Sequence, residues 1–134
     1  MATRTSYPVI YVSDQPETVN STTHGTQAII GEDTYDMALY DAFTAVCTVH
    51  PTPTGTSPTL DIAIQTGNDG TNWGALTSIA QFTTAAATNY IQVPVDASVG
   101  SAPKTFGKYI RFMATVGGTS TPTYSITLSF HPKG

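Results

Sequence analysis

The feature that most constrains this chain is its hydrophobic pattern, which alternates over short stretches and keeps no helical period beyond two turns. Leu60, Ile62 and Ile64, for example, lie at every second position, as on one face of a strand. Clusters of glycine and proline, which favour turns, separate these stretches. The pattern predicts about eight short strands and an all-β fold, an antiparallel β-sandwich of jelly-roll type, with an immunoglobulin-like sandwich as the alternative.

The strand predictions follow from alternation and from the residues that interrupt it. The segment 51–58, with three prolines and a glycine, is predicted to be a loop without regular structure, and 97–107 is predicted to be a second loop. Residues 117–122 are predicted to join the last two strands as a turn. The predicted strands, of which 35–39 is weak, are 7–12, 27–30, 35–39, 43–49, 60–65, 73–82, 90–95, 109–116 and 124–130.

Composition supports strands and excludes some classes of ligand. Charged residues make up only 10% of the chain, and threonine, which suits a pleated strand, takes much of their place. The formal net charge of -4 and the five scattered basic residues argue against nucleic acid, because phosphate binding needs clustered lysine and arginine. A low-charge surface rich in threonine and serine suits packing against other proteins.

The length of 134 residues predicts a single domain. Within it, residues 1–40 are predicted to be an N-terminal arm and edge strands, because this part is more polar and holds most of the acidic residues. Residues 41–134 are predicted to be the β-sandwich core.

The sequence has a single cysteine and no pattern that predicts a membrane-spanning segment. The one cysteine, Cys47, lies in an apolar run and is predicted to be a small buried side chain. No window approaches the roughly 20 apolar residues of a membrane span, and no signal peptide is evident. We therefore expect synthesis in the cytoplasm and no contact with a membrane.

Catalytic and metal-binding patterns are weak. The three histidines do not form the local ligand pairs of a zinc site, and no nucleophile elbow is present. The acidic residues near the end of the predicted arm favour a solvated loop, with a calcium site as the open alternative. This cluster consists of Glu32, Asp33, Asp36 and Asp41. We expect a protein that is not an enzyme and needs no cofactor.

The most specific local motif lies at 66–73. Asn68, Asp69 and Gly70 favour a tight turn, and Trp73 is predicted to fold back and anchor it as a structural hairpin. This hairpin is similar to the Asp box of sialidases, but a single copy excludes a β-propeller.

The order of motifs after residue 59 resembles that of small phage structural domains. It comprises Leu60-Asp61-Ile62-Ala63-Ile64-Gln65, the hairpin, Gly107-Lys108-Tyr109-Ile110-Arg111-Phe112 and Pro122-Thr123-Tyr124-Ser125-Ile126-Thr127-Leu128. The resemblance implies a β-sandwich on the surface of a virion, of the kind found in capsid decoration (cement) proteins. It further implies a homotrimer that binds the outside of a bacteriophage capsid and cements neighbouring major capsid protein subunits.

Other functions stay open beside this one. A carbohydrate-binding or receptor-binding module would stack glycans on aromatic rings such as Tyr35, Tyr40, Tyr90 or Trp73, and a head-fibre or tail component is a further alternative. Arg111, in an apolar strand, is expected to pair with an acid across the sheet or to lie at a subunit contact. The candidate partner contacts are Tyr7, Tyr11, Tyr35, Tyr40 and Arg111.

Overall fold

A computed structural model describes residues 8–94 and 105–134, apart from the side chain of Asp14. Within these residues the chain forms six strands and one short helix, α1, which runs from Ser21 to His24. Within the described ranges, no helix is long and apolar enough to cross a membrane. The strands are β1 (Ile10–Asn20), β2 (Ala28–Asp36), β3 (Ala42–Gly67), β4 (Gly74–Phe82), β5 (Ala87–Val93) and β6 (Tyr109–Lys133).

The long strands β3 and β6 each fold back over themselves. Phe112 and Phe130 both belong to β6, and at about 3.3 Å per residue a straight strand would hold them roughly 60 Å apart. Their ring centroids are 5.5 Å apart. Each long strand therefore acts as two segments that lie in different layers.

Pairing of these segments produces two antiparallel sheets. In the first sheet the order is β5, β3 (residues 42–50), β6 (123–133) and β1. In the second sheet the order is β4, β3 (59–67), β6 (109–117) and β2. Eight strand segments in two layers make the jelly-roll sandwich that the sequence predicts.

The prediction of a loop at 51–58 was wrong, and so was the prediction that a turn at 117–122 separates the last two strands. Thr54 pairs with Thr123 and Thr56 with Thr119, so the β3–β6 ribbon continues through both segments with register shifts. Gly55 and Gly118 have positive φ angles of 97° and 113°. These conformations let the ribbon turn from one sheet to the other while it keeps part of its pairing.

The N-terminal part of the chain forms edge strands of both sheets. β1 begins at Ile10 and continues to Asn20 along β6, and the separately predicted strands at 27–30 and 35–39 are replaced by the single strand β2. Val19 and Ile30 are buried in the common core. Residues 1–7, and with them the start of the predicted arm and the strand from Tyr7, lie outside the described residues, as does most of the predicted loop at 97–107.

The core lies between the sheets and is closed by aromatic contacts across them. The ring of Tyr35, on the second sheet, packs edge-on against Phe112 at 5.9 Å and against Phe130 of the first sheet at 5.2 Å. Such edge-to-face pairs add about 0.5–1.5 kcal/mol to the burial of the rings. The two sheets are thus joined by side chains from β2 and from both halves of β6.

Cys47 is fully buried in this core, as predicted. Desolvation raises the pKa of its thiol to about 12, so the group is neutral at physiological pH. A neutral, buried thiol is a poor nucleophile, and Cys47 acts as a small apolar side chain.

The corner of β6 provides a stability test. Gly118→Ala places a Cβ within 2.8 Å of the Ser57 carbonyl oxygen at a positive φ, so we expect the free energy of unfolding to fall by about 1–3 kcal/mol. Gly74→Ala is the matched control, because a Cβ there meets no atom within 4 Å. Denaturant unfolding measures both, and equal stability of the two variants would contradict the role of the corner.

Candidate binding face

The outer side of the first sheet presents a face on which most side chains bear a hydroxyl group. These side chains alternate with the buried residues of the same strands, and those of β3 and β6 are half-buried whereas those of β5 and β1 are exposed. We call this surface the hydroxyl face. It comprises Thr88, Tyr90 and Gln92 of β5, Thr44, Val46, Thr48 and His50 of β3, Ser125, Thr127, Ser129 and His131 of β6, and Tyr11 and Thr18 of β1.

The central row of the hydroxyl face ends in an exposed tyrosine on each side. Tyr90 pairs with Val46, Val46 with Ser129, and Ser129 with Tyr11, so one row crosses all four strands. The side chains of Tyr90 and Tyr11 are 65% and 58% exposed. With strands about 4.8 Å apart, the two tyrosines lie roughly 14 Å from each other across the sheet.

Hydrogen bonds between neighbouring strands order part of this face. The hydroxyl groups of Thr48 and Thr88 lie 3.0 Å apart, and His50 Nε2 lies 2.6 Å from the Thr127 hydroxyl. Each hydroxyl has one donor and two acceptor positions, so these contacts leave capacity for a partner. The face is therefore both ordered and able to hydrogen-bond.

None of the thirteen residues named for the hydroxyl face is an aspartate, glutamate, lysine or arginine, and the exposed Lys133 follows His131 at the end of β6. Burying a charged group against a partner is costly unless that group finds a counter-charge, whereas hydroxyls are desolvated at lower cost. Apart from two histidines, this surface presents no ionisable side chain other than its tyrosines. It is therefore suited to contact with an uncharged surface.

The outer side of the second sheet carries charged side chains on its two central strands. Arg111 places its guanidinium 4.4 Å from the ring centroid of Trp73, and its Nε donates a hydrogen bond of 2.7 Å to Gln65 Oε1. The expected acidic partner of Arg111 is replaced by a glutamine and an indole ring. Asp61 accepts hydrogen bonds from Gln81 on the same side.

The hairpin between β3 and β4 is organised by the carboxylate of Asp69. Asp69 Oδ1 accepts hydrogen bonds from the backbone N–H groups of Thr71 and Asn72 at 2.9 and 2.8 Å, and Oδ2 accepts from Asn72 Nδ2 at 2.8 Å. These donors lower the pKa of Asp69 to about 2. Gly70 follows with a φ of 76°, which a turn of this kind requires.

The hairpin also contacts the approach to β6. Asn68 Oδ1 accepts a hydrogen bond of 3.1 Å from the backbone N–H of Lys108, and Thr66 Oγ1 accepts one of 2.7 Å from that of Gly107. Trp73 is half-buried and is held beneath Arg111. The motif therefore has a structural explanation in the fold and does not lie on the hydroxyl face.

The candidate contact tyrosines lie in different environments. Tyr11 is exposed on the hydroxyl face, whereas Tyr40 is partly buried against the core. Tyr35 is 9% exposed, so its selection as a contact or glycan-stacking residue is corrected: its ring fills the core and its hydroxyl accepts a hydrogen bond from the Glu32 N–H. Tyr7 lies outside the described residues.

The four acidic residues selected from the sequence are exposed, and the fold does not gather them. Among the residues that the structure describes, no group of three or more histidine, cysteine, aspartate or glutamate side chains could hold a metal ion. Asp36 instead uses Oδ1 to accept a hydrogen bond of 2.9 Å from the Ala38 N–H. The cluster of Glu32, Asp33, Asp36 and Asp41 therefore offers no described metal site.

The sequence analysis did not select most of the hydroxyl face. Its signal was present in the threonines and serines that alternate with apolar residues at 43–50 and 123–131. That alternation showed which residues are buried, but it could not show that the opposite sides of four strands lie next to each other. Neither protein-family models nor curated proteins give a match to the sequence.

The lowered pKa of Asp69 predicts that its carboxylate makes a pH-dependent contribution to the stability of the fold. Its pKa is lowered from 3.8 to about 2 in the folded chain, so the contribution is complete above pH 3.8 and is lost as pH falls through about 2. Asp69→Asn keeps an oxygen that can accept the two backbone hydrogen bonds but does not titrate. We expect the melting temperature of the wild type to exceed that of Asp69→Asn at pH 7, and the difference to shrink between pH 4 and pH 2.

Thermal unfolding followed by circular dichroism at several pH values measures this difference. Asp33→Asn, at an exposed position of β2, is the control and should change less over the same range. A difference between wild type and Asp69→Asn that is constant with pH would contradict the proposed role of the carboxylate.

Proposed function

We propose that this chain is a non-enzymatic structural protein of a bacteriophage virion, which binds the outside of the capsid and cements neighbouring major capsid protein subunits. The observation that carries the proposal is the hydroxyl face, which has no charged residue and has exposed tyrosines at both ends of its central row. Protein interfaces are depleted in charged residues at their centre and enriched in tyrosine. The resemblance of the motif order to that of small phage structural domains supports a capsid as the partner.

The dimensions of the hydroxyl face fit a contact that is repeated many times. Four strands about 4.8 Å apart, each about eight residues long in this sheet, give an area of roughly 500 Å². A stable interface usually buries about 800 Å² on each partner, so one such contact is weak by itself. On a symmetric shell the same contact recurs at every equivalent position, and a bridge between two subunits gains from both attachments.

The mechanism of cementing is non-covalent. Tyr11 and Tyr90 supply large apolar rings with a polar tip, and the threonine and serine hydroxyls between them supply hydrogen bonds. A protein that spans the seam between two subunits resists their separation, because separation would expose these buried groups to water. This mechanism requires no catalytic residue or cofactor.

A binding experiment with expanded capsids tests this proposal. Val46→Asp puts a charge at the centre of the hydroxyl face, and we expect it to reduce co-sedimentation with capsids at least tenfold, because that charge would be buried without a partner. Tyr11→Ala and Tyr90→Ala should each weaken binding through loss of ring contact. Ser78→Asp, at an exposed position of β4, is the matched charge control and should bind like the wild type.

The outcomes of this binding experiment test both the capsid proposal and the surface that makes the contact. Absence of the protein from purified virions, together with failure to bind expanded capsids, would show that the proposal is wrong. Equal loss of binding in Val46→Asp and Ser78→Asp would show that the hydroxyl face is not the surface of contact.

Glycan binding is the second candidate function, and the same face favours it. Sugars stack on flat aromatic rings and hydrogen-bond to hydroxyls, and Tyr90 and Tyr11 flank a row of such groups. If the protein is a carbohydrate-binding module, a glycan array should give signals with uncharged sugars that Tyr90→Ala abolishes and Leu39→Ala, at another exposed position, retains. A silent array would count against this function.

A further inference from the structure

The four edge strands differ in how they are protected against pairing with another strand. An edge strand exposes unpaired backbone N–H and C=O groups, and proteins block such edges with charges, prolines and bulges. β1 carries Pro16 and Glu17 and shifts register twice against β6. β2 carries Glu32 and Asp33 and shifts register between Ile30 and Tyr35.

The other two edges carry no charged residue, but only one of them is regular. β4 shifts register twice against β3, which twists an edge and hinders further pairing. β5 pairs with β3 from Ala87 to Val93 at seven consecutive positions without a shift. β5 also contains no proline. Among the residues that the structure describes, its outer edge therefore carries no charge, no proline and no register shift.

We propose that β5 is a dimerisation edge, at which two copies of this chain pair antiparallel about a two-fold axis that passes beside Tyr90. Side chains alternate between the two sides of a sheet, so a continuous sheet requires outward residues to face outward residues. Tyr90 is the central residue of the seven, and pairing centred there is the register that uses the whole strand. A second copy of β5 matches this edge, because it has the same length and the same lack of charge.

The side chains of β5 are compatible with this register. Tyr90 would lie beside Tyr90 of the partner subunit, and cross-strand aromatic pairs stabilise a sheet. Thr88 would face Gln92 of the partner subunit, and the same pair recurs on the other side of the axis. All of these residues are exposed and uncharged in the single chain, so pairing causes no repulsion between charges.

Dimerisation at this edge would join two first sheets into one sheet of eight strands. The two hydroxyl faces would then form a single surface that extends from Tyr11 of one copy to Tyr11 of the partner subunit. The inference is independent of the proposed capsid partner, because it follows from the edge strand alone. It predicts a dimer, whereas the resemblance to phage domains implies a trimer.

Solution mass and a pair of charge variants test the dimer. Light scattering on the whole chain should give twice the monomer mass of 14.1 kDa. Thr88→Lys combined with Gln92→Lys puts like charges opposite each other in both pairs, and we expect the dissociation constant to rise about tenfold or more. Thr88→Lys combined with Gln92→Glu puts opposite charges in both pairs and should restore the dimer.

The two double variants lose the same native contacts, including the hydrogen bond between Thr88 and Thr48, so each serves as the control for the other. Ser78→Lys adds a charge on β4 and should leave the dimer intact, and circular dichroism shows whether every variant is folded. A monomeric or trimeric wild type would overturn the proposal. So would a folded double-lysine variant that still dimerises, or a folded lysine–glutamate variant that does not, since either result excludes this register.

Discussion

The structure depends on the antiparallel pairing of β3 with β6, which runs from Ala42 and Lys133 at one end to Gly67 and Tyr109 at the other. Both strands turn from one sheet to the other, and they turn together because backbone pairing continues around the corner. Every other strand then attaches to an edge of this ribbon. β1 and β2 pair with β6, and β4 and β5 pair with β3. The jelly roll is therefore a folded two-stranded ribbon with one strand added at each of its four free edges.

This arrangement gives the two sides of each sheet separate roles. Along 43–50 and 123–131 the inward residues are apolar and fully buried, and six of the nine outward residues bear a hydroxyl group. Alternation alone produces that division, since the side-chain period of a strand is two. Among the described residues, the residues that form the hydroxyl face are uncharged, whereas charged residues occur on the second sheet, at the hairpin, on β1 and β2, and at Lys133 at the end of β6. The distribution of charge thus leaves one face and one edge, both on the first sheet, available for uncharged partners.

The hairpin at 66–73 shows how a conspicuous sequence motif can be structural. Asp69 satisfies two backbone N–H groups of its own turn, and Asn68 and Thr66 tie that turn to the chain that leads into β6. Trp73 is covered by Arg111 instead of being presented for contact. The most recognisable motif therefore stabilises one end of the sandwich, whereas the surface proposed to bind a partner is built from common residues that form no motif.

The sequence by itself determined the fold class, the buried face of each strand and the position of the tight turn, because these depend on alternation and on residues with special backbone preferences. It also determined that Cys47 is buried. Only the tertiary structure decided that 51–58 continues a strand, because that depends on pairing with residues far away in the chain. Only the tertiary structure also decided the environment of Tyr35. The sequence predicted a contact residue, but the ring packs against Phe112 and Phe130 in the core. The hydroxyl face and the open edge of β5 depend on which strands are neighbours, and strand order is a long-range property that local pattern does not contain.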